Sequence, residues 1–493
     1  MAVSLPVTVK SLKYERIREV EPPELSLTSL YHVAIPVSYF LIGFIGSFLA
    51  NPLNIFMVQD LNAQPSQQNT LFILITIPWS LKVLCGFLSD LVPIRGLKRK
   101  PYLAMGYLLS SICFLVLAIA PVITVNMLYV LLFLAVMGQI MADVMADTLV
   151  VERARQELEG KKGQLQASCY AIRFFGSVLG CVGGAVFFNT RLWGWGLTFS
   201  QVCFINGALP LALLGPTIWT LWEGQDKHAK TVRDQVMDIW ETIQLKAVWK
   251  PMAFVYTFNF FQVPNIAWQS YLQLSLHFEP YQLGFMGAAG SIMTFLGIVA
   301  YKRFFFHVSW RLVYGWTVVV TTVFSALQLV LIFQLNQAIG LPNFWFALGD
   351  DVITQYIQGI QFLPVSIMYL SMCPDGSEGA IYAMLTTFGN VALTCASSLG
   401  TVLSKIWDVS NEAMMEHDYA GLWRLTILTS ALAPVPLVLL KLLPANQQAQ
   451  EHLRLEKEKS WLGGAVFLGV LGASLTWVFY QAFDVILTEG KGA

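Results

Sequence analysis

The sequence predicts an all-α multi-pass membrane protein of two six-helix bundles, with one further helix at its C-terminal end. Hydrophobic residues make up 56% of the 493 residues and charged residues only 12%, whereas about a quarter of the residues in soluble domains are charged. Thirteen apolar stretches are long enough to cross a bilayer, which takes about 20 residues. A polar linker after the sixth stretch divides them into two sets.

The apolar stretches give the order of the predicted helices. The first six lie near 33–58, 68–89, 102–121, 126–151, 163–188 and 197–222. The others lie near 251–274, 281–301, 311–335, 342–372, 376–402, 420–443 and 461–483. The predicted domains are a cytoplasmic tail (1–28), a six-helix bundle (29–222), a linker (223–250), a second bundle (251–443) and a charged segment with the thirteenth helix (444–493).

Lys and Arg residues are concentrated in the loops on the side of the N-terminus. By the positive-inside rule, the N-terminus and the linker are predicted to be cytoplasmic. The first 28 residues contain no apolar segment of the kind found in secretory signals. No retention or lipidation signal is evident, so the plasma membrane is the default location and an organellar membrane the alternative. The net charge of zero gives no indication of a nucleic-acid partner.

The linker contains apolar residues at helical spacing. Val236, Ile239, Trp240 and Ile243 follow the i, i+3, i+4, i+7 pattern, and charged residues surround them. This pattern predicts an amphipathic helix against the cytoplasmic face. A simple tether between the bundles is the alternative.

Four charged residues lie deep inside apolar stretches. Counted at 1.5 Å per helical residue, Lys82 and Asp143 lie about 12 Å, Arg173 about 15 Å and Asp350 about 18 Å from the predicted cytoplasmic edge. A cation at the centre of a membrane helix costs about 2.5 to 3.5 kcal/mol, and it persists mainly where it faces protein or a water-filled cavity. The charges predict a binding site for a polar solute or for protons. Alternatively, Lys82, Asp143 and Arg173 form a structural network that only holds the first bundle together.

Polar residues form stripes at helical spacing on the fourth, seventh and tenth helices, which lipid-facing helices do not carry. The stripes consist of Gln139, Asp143 and Asp147; Asn259, Gln262 and Gln269; and Asp351, Thr354, Gln358 and Gln361. Aromatic residues accompany the second stripe, namely Phe258, Phe260, Phe261, Trp268 and Tyr271. These rings could stack on a flat ligand, or they could only fill the core.

A second set of charges lies where the second and fourth helices end. It consists of Asp90, Asp147, Glu152, Arg153 and Arg155. We expect a cytoplasmic gating or anchoring cluster here, and a binding site is the alternative. The seven cysteines form no CxxC pair and have no histidine at metal-ligand spacing, so neither a metal nor a cofactor is predicted.

Several motifs resemble those of a known family. Residues 86–90 (GFLSD), followed by basic residues at 95–101, resemble the loop between helices two and three of the major facilitator superfamily, although Leu91 replaces the usual arginine. The flanking motifs PWSLK (78–82) and KRKPY (98–102) resemble the folate-biopterin transporter family. So does the fourth-helix sequence DVMADTLVVERAR (143–155), as does Arg173 with the glycines that follow it.

The resemblance implies proton-coupled uptake of folates or pterins, and some members of the family resemble carriers of S-adenosylmethionine. The predicted partners are therefore a small-molecule substrate, protons and the lipid bilayer. A pterin ring presents an amino group beside a ring N–H, which one carboxylate can accept, whereas a folate tail needs cations. We expect Asp143, or Asp350 with Asp351, to bind the ring, and Lys82 and Arg173 to attract the tail.

Adjacent buried carboxylates resist ionising together, so Asp350 and Asp351 also suit proton coupling. Gln262 and Trp268 complete the predicted substrate-binding set. An enzyme is disfavoured: Gly349-Asp350 resembles part of an intramembrane aspartyl protease motif, but Ala347 replaces its first glycine and there is no HExxH motif. A sugar or drug carrier and a sensor without flux remain as alternatives.

Overall fold

The computed structural model describes residues 26–63, 65–157, 163–188, 194–224, 231–374 and 376–489. Most of the predicted N-terminal tail lies outside these ranges. Within them the regular elements are helices, accompanied by two isolated β-bridges. The structure thus confirms the predicted all-α multi-pass fold, because eleven helices in the described part are long and apolar enough to cross a membrane.

Six membrane helices form the first half of the molecule. They are α1 (Ala34–Asp60), α2 (Thr70–Leu91), α3 (Lys100–Ile119), α4 (Val125–Ala154), α5 (Gln164–Phe187) and α6 (Phe199–Thr220). The helix of α2 is interrupted at Leu81 and resumes at Lys82. Pro78 lies one turn before the interruption, and a proline inside a helix removes a backbone hydrogen bond and causes a kink.

The second half contains six more membrane helices, and a last one follows it. They are α7 (Lys246–Phe260, resuming at Trp268–Ser270 and Tyr271–Ser275), α8 (Tyr281–Phe305), α9 (Trp310–Ile332), α10 (Asn343–Met372), α11 (Glu378–Leu403), α12 (Ala420–Leu442) and α13 (Trp461–Glu489). α7 and α10 are not among the eleven apolar spans. α7 is broken around Pro264, and α10 is long but carries one of the polar stripes.

Glycines set the close packing of the helices. A Cβ atom at Gly176 or Gly180 of α5 would collide with a backbone carbonyl oxygen of α1, at Phe40 or Phe44. The same holds between the halves, where a Cβ at Gly86 of α2 would meet the backbone of Gly379 in α11. α5 also packs against α8, and α4 packs against α11, so several helix pairs join the halves.

The linker forms a helix at Val232–Gln244, which begins with a capping box between Thr231 and Asp234. Its buried face differs from the prediction. Ile243 is buried, but Val236 is 49% exposed, and the fully buried Gln235 donates a hydrogen bond to Asp90 instead. The helix also packs against α13. The predicted domain boundaries and the cytoplasmic position of this helix remain predictions.

Candidate functional site

A cavity of about 490 Å³ lies between the two halves. We call it the central cavity. The first half contributes Trp79, Lys82, Tyr170, Arg173 and Phe174 to its lining. The polar residues from the second half are Asn259, Gln262, Tyr314, Gln358, Gln361, Ser366, Tyr369, Thr386 and Asn390. Three residues of the predicted substrate-binding set, Lys82, Arg173 and Gln262, therefore meet at one cavity.

Lys82, Asp143 and Arg173 form a buried charge triad at the wall of this cavity. One carboxylate oxygen of Asp143 accepts from the Lys82 ammonium, and the other accepts from Nη1 of Arg173 at 2.8 Å. The side chain of Asp143 is 1% exposed, whereas that of Arg173 is 16% exposed. With two cations and one carboxylate, the triad has a formal charge of +1. Such a site attracts anions to the cavity.

Aromatic rings flank both cations of the triad. The Lys82 ammonium lies 4.7 Å from the centre of the Trp79 ring, and the Arg173 guanidinium lies 5.8 Å from the same ring and 5.9 Å from that of Tyr170. These distances fall in the range of cation–π attraction. The rings therefore help to stabilise the cations away from bulk water.

A side chamber of about 340 Å³ lies within the first half, on the other side of Trp79 and Arg173. Its walls are mainly apolar, and its polar lining includes Gln139, Asp143 and Ser177. Trp79 and Arg173 line both this chamber and the central cavity. The triad therefore faces two compartments.

Aromatic residues of α5, α10 and α11 form one end of the central cavity. The ring of Tyr170 lies edge-on to Phe362, with 4.8 Å between ring centres, and its hydroxyl lies 3.4 Å from that of Tyr382. Of the predicted α7 aromatics, Phe258 lines the cavity. Tyr271, by contrast, is fully buried and donates to the carbonyl of Leu331 at 2.9 Å. That position fits core filling.

Asp350, Asp351 and Trp268 lie apart from the triad, in a cavity of about 380 Å³ inside the second half. We call it the second-half cavity. Thr354 lines it too, whereas Gln358 and Gln361 of the same helix line the central cavity. The polar stripe of α10 thus lines both the second-half cavity and the central cavity. The residues predicted to form one substrate site are therefore divided between two cavities.

A network of charges joins the halves beyond the aromatic end of the central cavity. We call it the latch, and its members are Asp90, Arg99, Glu152, Arg155 and Glu378. The buried guanidinium of Arg99 contacts Asp90 at 2.6 Å and Glu152 at 2.9 Å, and it lies 3.9 Å from Glu378 of the second half. Arg155 contacts Glu378 at 2.8 Å. The latch therefore joins the two halves through buried and half-buried ion pairs.

Further hydrogen bonds join the two halves near the latch. A carboxylate oxygen of Asp90 accepts from the backbone N–H of Ala380 at 2.8 Å, at the start of α11. Gln166 of α5 donates to the Tyr382 hydroxyl at 2.8 Å, and Lys302 of α8 donates to Ser168 of α5 at 2.8 Å. These contacts join the halves on the same side of the molecule as the latch.

Two residues of the predicted gating cluster lie outside the latch. Arg153 donates to the carbonyl of Trp222 at 2.7 Å, and its guanidinium lies 4.7 Å from the ring of that residue. Asp147 accepts a hydrogen bond from Tyr39 and is 2% exposed. The structure thus places Asp90, Glu152 and Arg155 together and separates Arg153 and Asp147 from them.

The sequence was compared with known protein families. The sequence model of the BT1 family matches residues 43–460. The chain belongs to the BT1 family. The matched region contains the triad, both cavities and the latch.

Named relatives support this assignment. The BT1 family chain is 29% identical over 432 residues to the "Folate-biopterin transporter" of Synechocystis, covering 86% of this chain and 84% of the relative. It is 24% identical to "Folate transporter 1" of Plasmodium falciparum, over 81% and 77% of the two chains. It is 23% identical to "Probable folate-biopterin transporter 2" of Arabidopsis thaliana, over 78% and 77%. All three are named as transporters.

Arg99 and Glu378 are members of the latch that the predicted charge cluster did not include. Arg99 lies within a basic loop motif. Lys and Arg residues are mostly exposed, so the motif did not indicate that Arg99 is almost completely buried. Glu378 opens α11 next to Gly379. For Glu378, the only signal in the sequence was an acidic residue at the start of an apolar stretch. Acidic residues are favoured at helix N-termini.

Proposed function

We propose that this BT1 family protein is a secondary transporter that carries folates or pterins across a membrane. The names of its relatives support the substrate class. The observation that carries the proposal is the charge triad, which turns a buried, net positive site toward a cavity between the two halves. A folate has a glutamate tail, whose carboxylates suit such a site.

Arg173 is the residue of the triad best placed to bind a carboxylate. Its guanidinium carries five N–H donors, and the hydrogen bond to Asp143 uses one of them. It is also the most exposed member of the triad. Lys82 adds a second positive charge, and both residues line the central cavity. The substrate's carboxylates would replace the water that faces these cations.

Transport takes place by alternating access to the central cavity. The latch closes one end, and its contacts are ion pairs and hydrogen bonds between the halves rather than covalent or extensive apolar contacts. Breaking them would open that end when the opposite end closes. The break in α7 at 261–267 supplies irregular backbone beside the cavity, as broken helices do in other transporters.

Protons drive the transport through Asp350 and Asp351. These neighbouring carboxylates line a polar cavity whose described lining residues include no Lys, Arg or His. The Oδ1 atom of Asp350 is buried and has no hydrogen-bond partner in the structure. A proton would neutralise one of the charges and turn an acceptor into a donor. The α10 stripe would link this event to the central cavity.

Uptake of labelled folate into cells that express the protein tests the proposal. We expect uptake in the wild type that labelled S-adenosylmethionine does not reproduce, and at least a tenfold loss in Arg173→Ala at equal surface expression. Arg303→Ala is the matched control, because Arg303 is exposed at the end of α8. Wild-type uptake of S-adenosylmethionine without folate uptake would contradict the proposal and favour the alternative substrate.

A further inference from the structure

The two walls of the central cavity differ in chemistry. The first half contributes the cations Lys82 and Arg173. The lining from the second half contains no charged side chain among the described residues, but it is rich in amides: Asn259, Gln262, Gln358, Gln361 and Asn390. We call these five residues the amide wall. A carboxamide offers two donors and an acceptor, so this wall suits a neutral group with both donors and acceptors.

Gln361 is the residue that points most directly to a ligand. It is 5% exposed, and its amide nitrogen has no hydrogen-bond partner in the structure. The hydroxyl of Tyr314 donates to its backbone carbonyl at 2.7 Å, which ties this turn of α10 to α9. A buried, unpaired amide is unfavourable unless a partner reaches it. Gln361 lines the central cavity, so a turn of its side chain would bring the amide to a ligand there.

Asn259 adds the complementary group on α7. Its amide nitrogen donates to the carbonyl of Gly389 at 3.0 Å, so that its nitrogen is held by α11. The carbonyl end of the same amide is then left as the acceptor. Gln358 lies one turn before Gln361 on the same face of α10 and lines the same cavity. Donors and acceptors thus lie side by side along this wall.

We infer that the amide wall recognises the neutral heterocyclic ring of the substrate, while the triad binds its carboxylates. The inference rests on the proposed function and adds the orientation of the substrate. A pterin ring presents an oxo group, a ring N–H and an amino group along one edge, which matches amides. Asp143 does not fit this role, since its side chain is only 1% exposed and lines the side chamber rather than the central cavity. Asp350 and Asp351 lie in the second-half cavity.

Fragments of the substrate separate the two walls in one experiment. Inhibition of labelled folate uptake is measured with free pterin, which lacks the glutamate, and with p-aminobenzoylglutamate, which lacks the ring. In Gln361→Leu we expect the inhibition constant for pterin to rise about 5- to 10-fold, the usual effect of one lost hydrogen bond. The constant for p-aminobenzoylglutamate should not change.

Two further variants make the result decisive. Gln358→Leu should also raise the inhibition constant for pterin and leave that for p-aminobenzoylglutamate unchanged. It replaces Gln361→Leu if that variant fails to reach the membrane. Gln481→Leu, on α13 and outside the lining of the described cavities, should leave both constants unchanged. Equal loss of both inhibitors in the α10 variants would overturn the inference. Wild-type uptake that neither folate nor pterin inhibits would overturn the proposed function itself.

Discussion

At the scale of single residues, Asp143 is the member of the triad on which the two cations depend. Each of its oxygens accepts from one of them, and its side chain is almost completely buried. Removing one partner from a buried ion pair costs about 3 to 5 kcal/mol, because the other charge stays behind. Asp143→Asn alone is therefore expected to lower the amount of folded protein, whatever the triad does in transport.

A charge-balanced double variant separates binding from stability. Arg173→Gln with Asp143→Asn removes one positive and one negative charge, and it removes the guanidinium best placed to bind a carboxylate while Lys82 stays. We expect surface expression to recover to at least half of the wild-type level, while folate uptake stays at least tenfold low. Surface labelling and uptake in the same cells measure both quantities. Recovery of uptake together with expression would mean that the triad only holds the first half together.

Asp350 provides the residue test of proton coupling. In the wild type, folate uptake should rise when the outside is made acidic, because protons enter with the substrate. Asp350→Asn should abolish this pH dependence and most net uptake, since the side chain can no longer exchange a proton. Exchange of labelled for unlabelled folate should persist. Ser291→Ala, which changes a neutral residue of the same cavity that donates to the carbonyl of Gly287, serves as the control. An unchanged pH profile in Asp350→Asn would exclude Asp350 as the proton site.

Counting residues along the helices predicted that Lys82, Asp143 and Arg173 could meet. It did not predict that Asp350 lies in a different cavity. Lys82, Asp143 and Arg173 meet because a helix advances by a fixed rise, so the sequence alone sets their depth. Depth does not say which face of a helix meets which neighbour. Asp350 shares the depth predicted for the triad, but it faces a cavity within the second half. The latch contact between Asp90 and Ala380 joins residues 290 positions apart, which no local pattern indicates.

At the scale of elements, two of the three helices with a polar stripe fall outside the apolar spans. α7 and α10 are the membrane helices that fall outside the eleven apolar spans, and both carry such a stripe. Their polar residues line the cavities, as expected where polar groups in a membrane face protein or water. The linker forms the predicted helix, but Val236 of its predicted apolar face is exposed. Its buried Gln235 donates a hydrogen bond to Asp90, which hydrophobic periodicity cannot reveal.

The latch can be tested with a cysteine of the native chain. Cys373 follows the last residue of α10, is 2% exposed and lies close to the latch. Burial, and then the carboxylate of Glu378, raise the pKa of the Cys373 thiol, whereas the Arg155 cation lowers that pKa. Thiols react as thiolates, so Cys373 should react slowly with a maleimide while the latch is closed.

Arg155→Met should increase the labelling of Cys373 several-fold. Loss of the Arg155 cation by itself would raise the pKa of the thiol and slow the reaction, so faster labelling would report greater exposure of Cys373 once the contacts of Arg155 to Glu378 and to the carbonyl of Pro374 are lost. Arg153→Met is the matched control, since the neighbouring arginine contacts Trp222 instead. Mass spectrometry of the labelled peptide measures the rate. A slower rate in Arg155→Met than in wild type would indicate that this contact does not hold the latch.

At the scale of the whole molecule, the described structure is a pair of helical halves that meet at α2–α11, α4–α11 and α5–α8. The cavity between them lies beside a closed latch. The fold class followed from composition and the spacing of apolar stretches, because bilayer thickness fixes the length of a spanning helix. The division of the polar residues between two cavities depends on how the helices pack. Packing between distant helices is not encoded in local periodicity.

The central claim is that folate or pterin binds in the central cavity and is released on either side of the membrane. Counterflow in proteoliposomes tests it most directly. Vesicles that contain purified protein are loaded with unlabelled folate and diluted into labelled folate. We expect transient accumulation of label with the wild type and with Arg303→Ala, and none with Arg173→Ala. Binding of folate without counterflow in the wild type would contradict the account and identify a sensor.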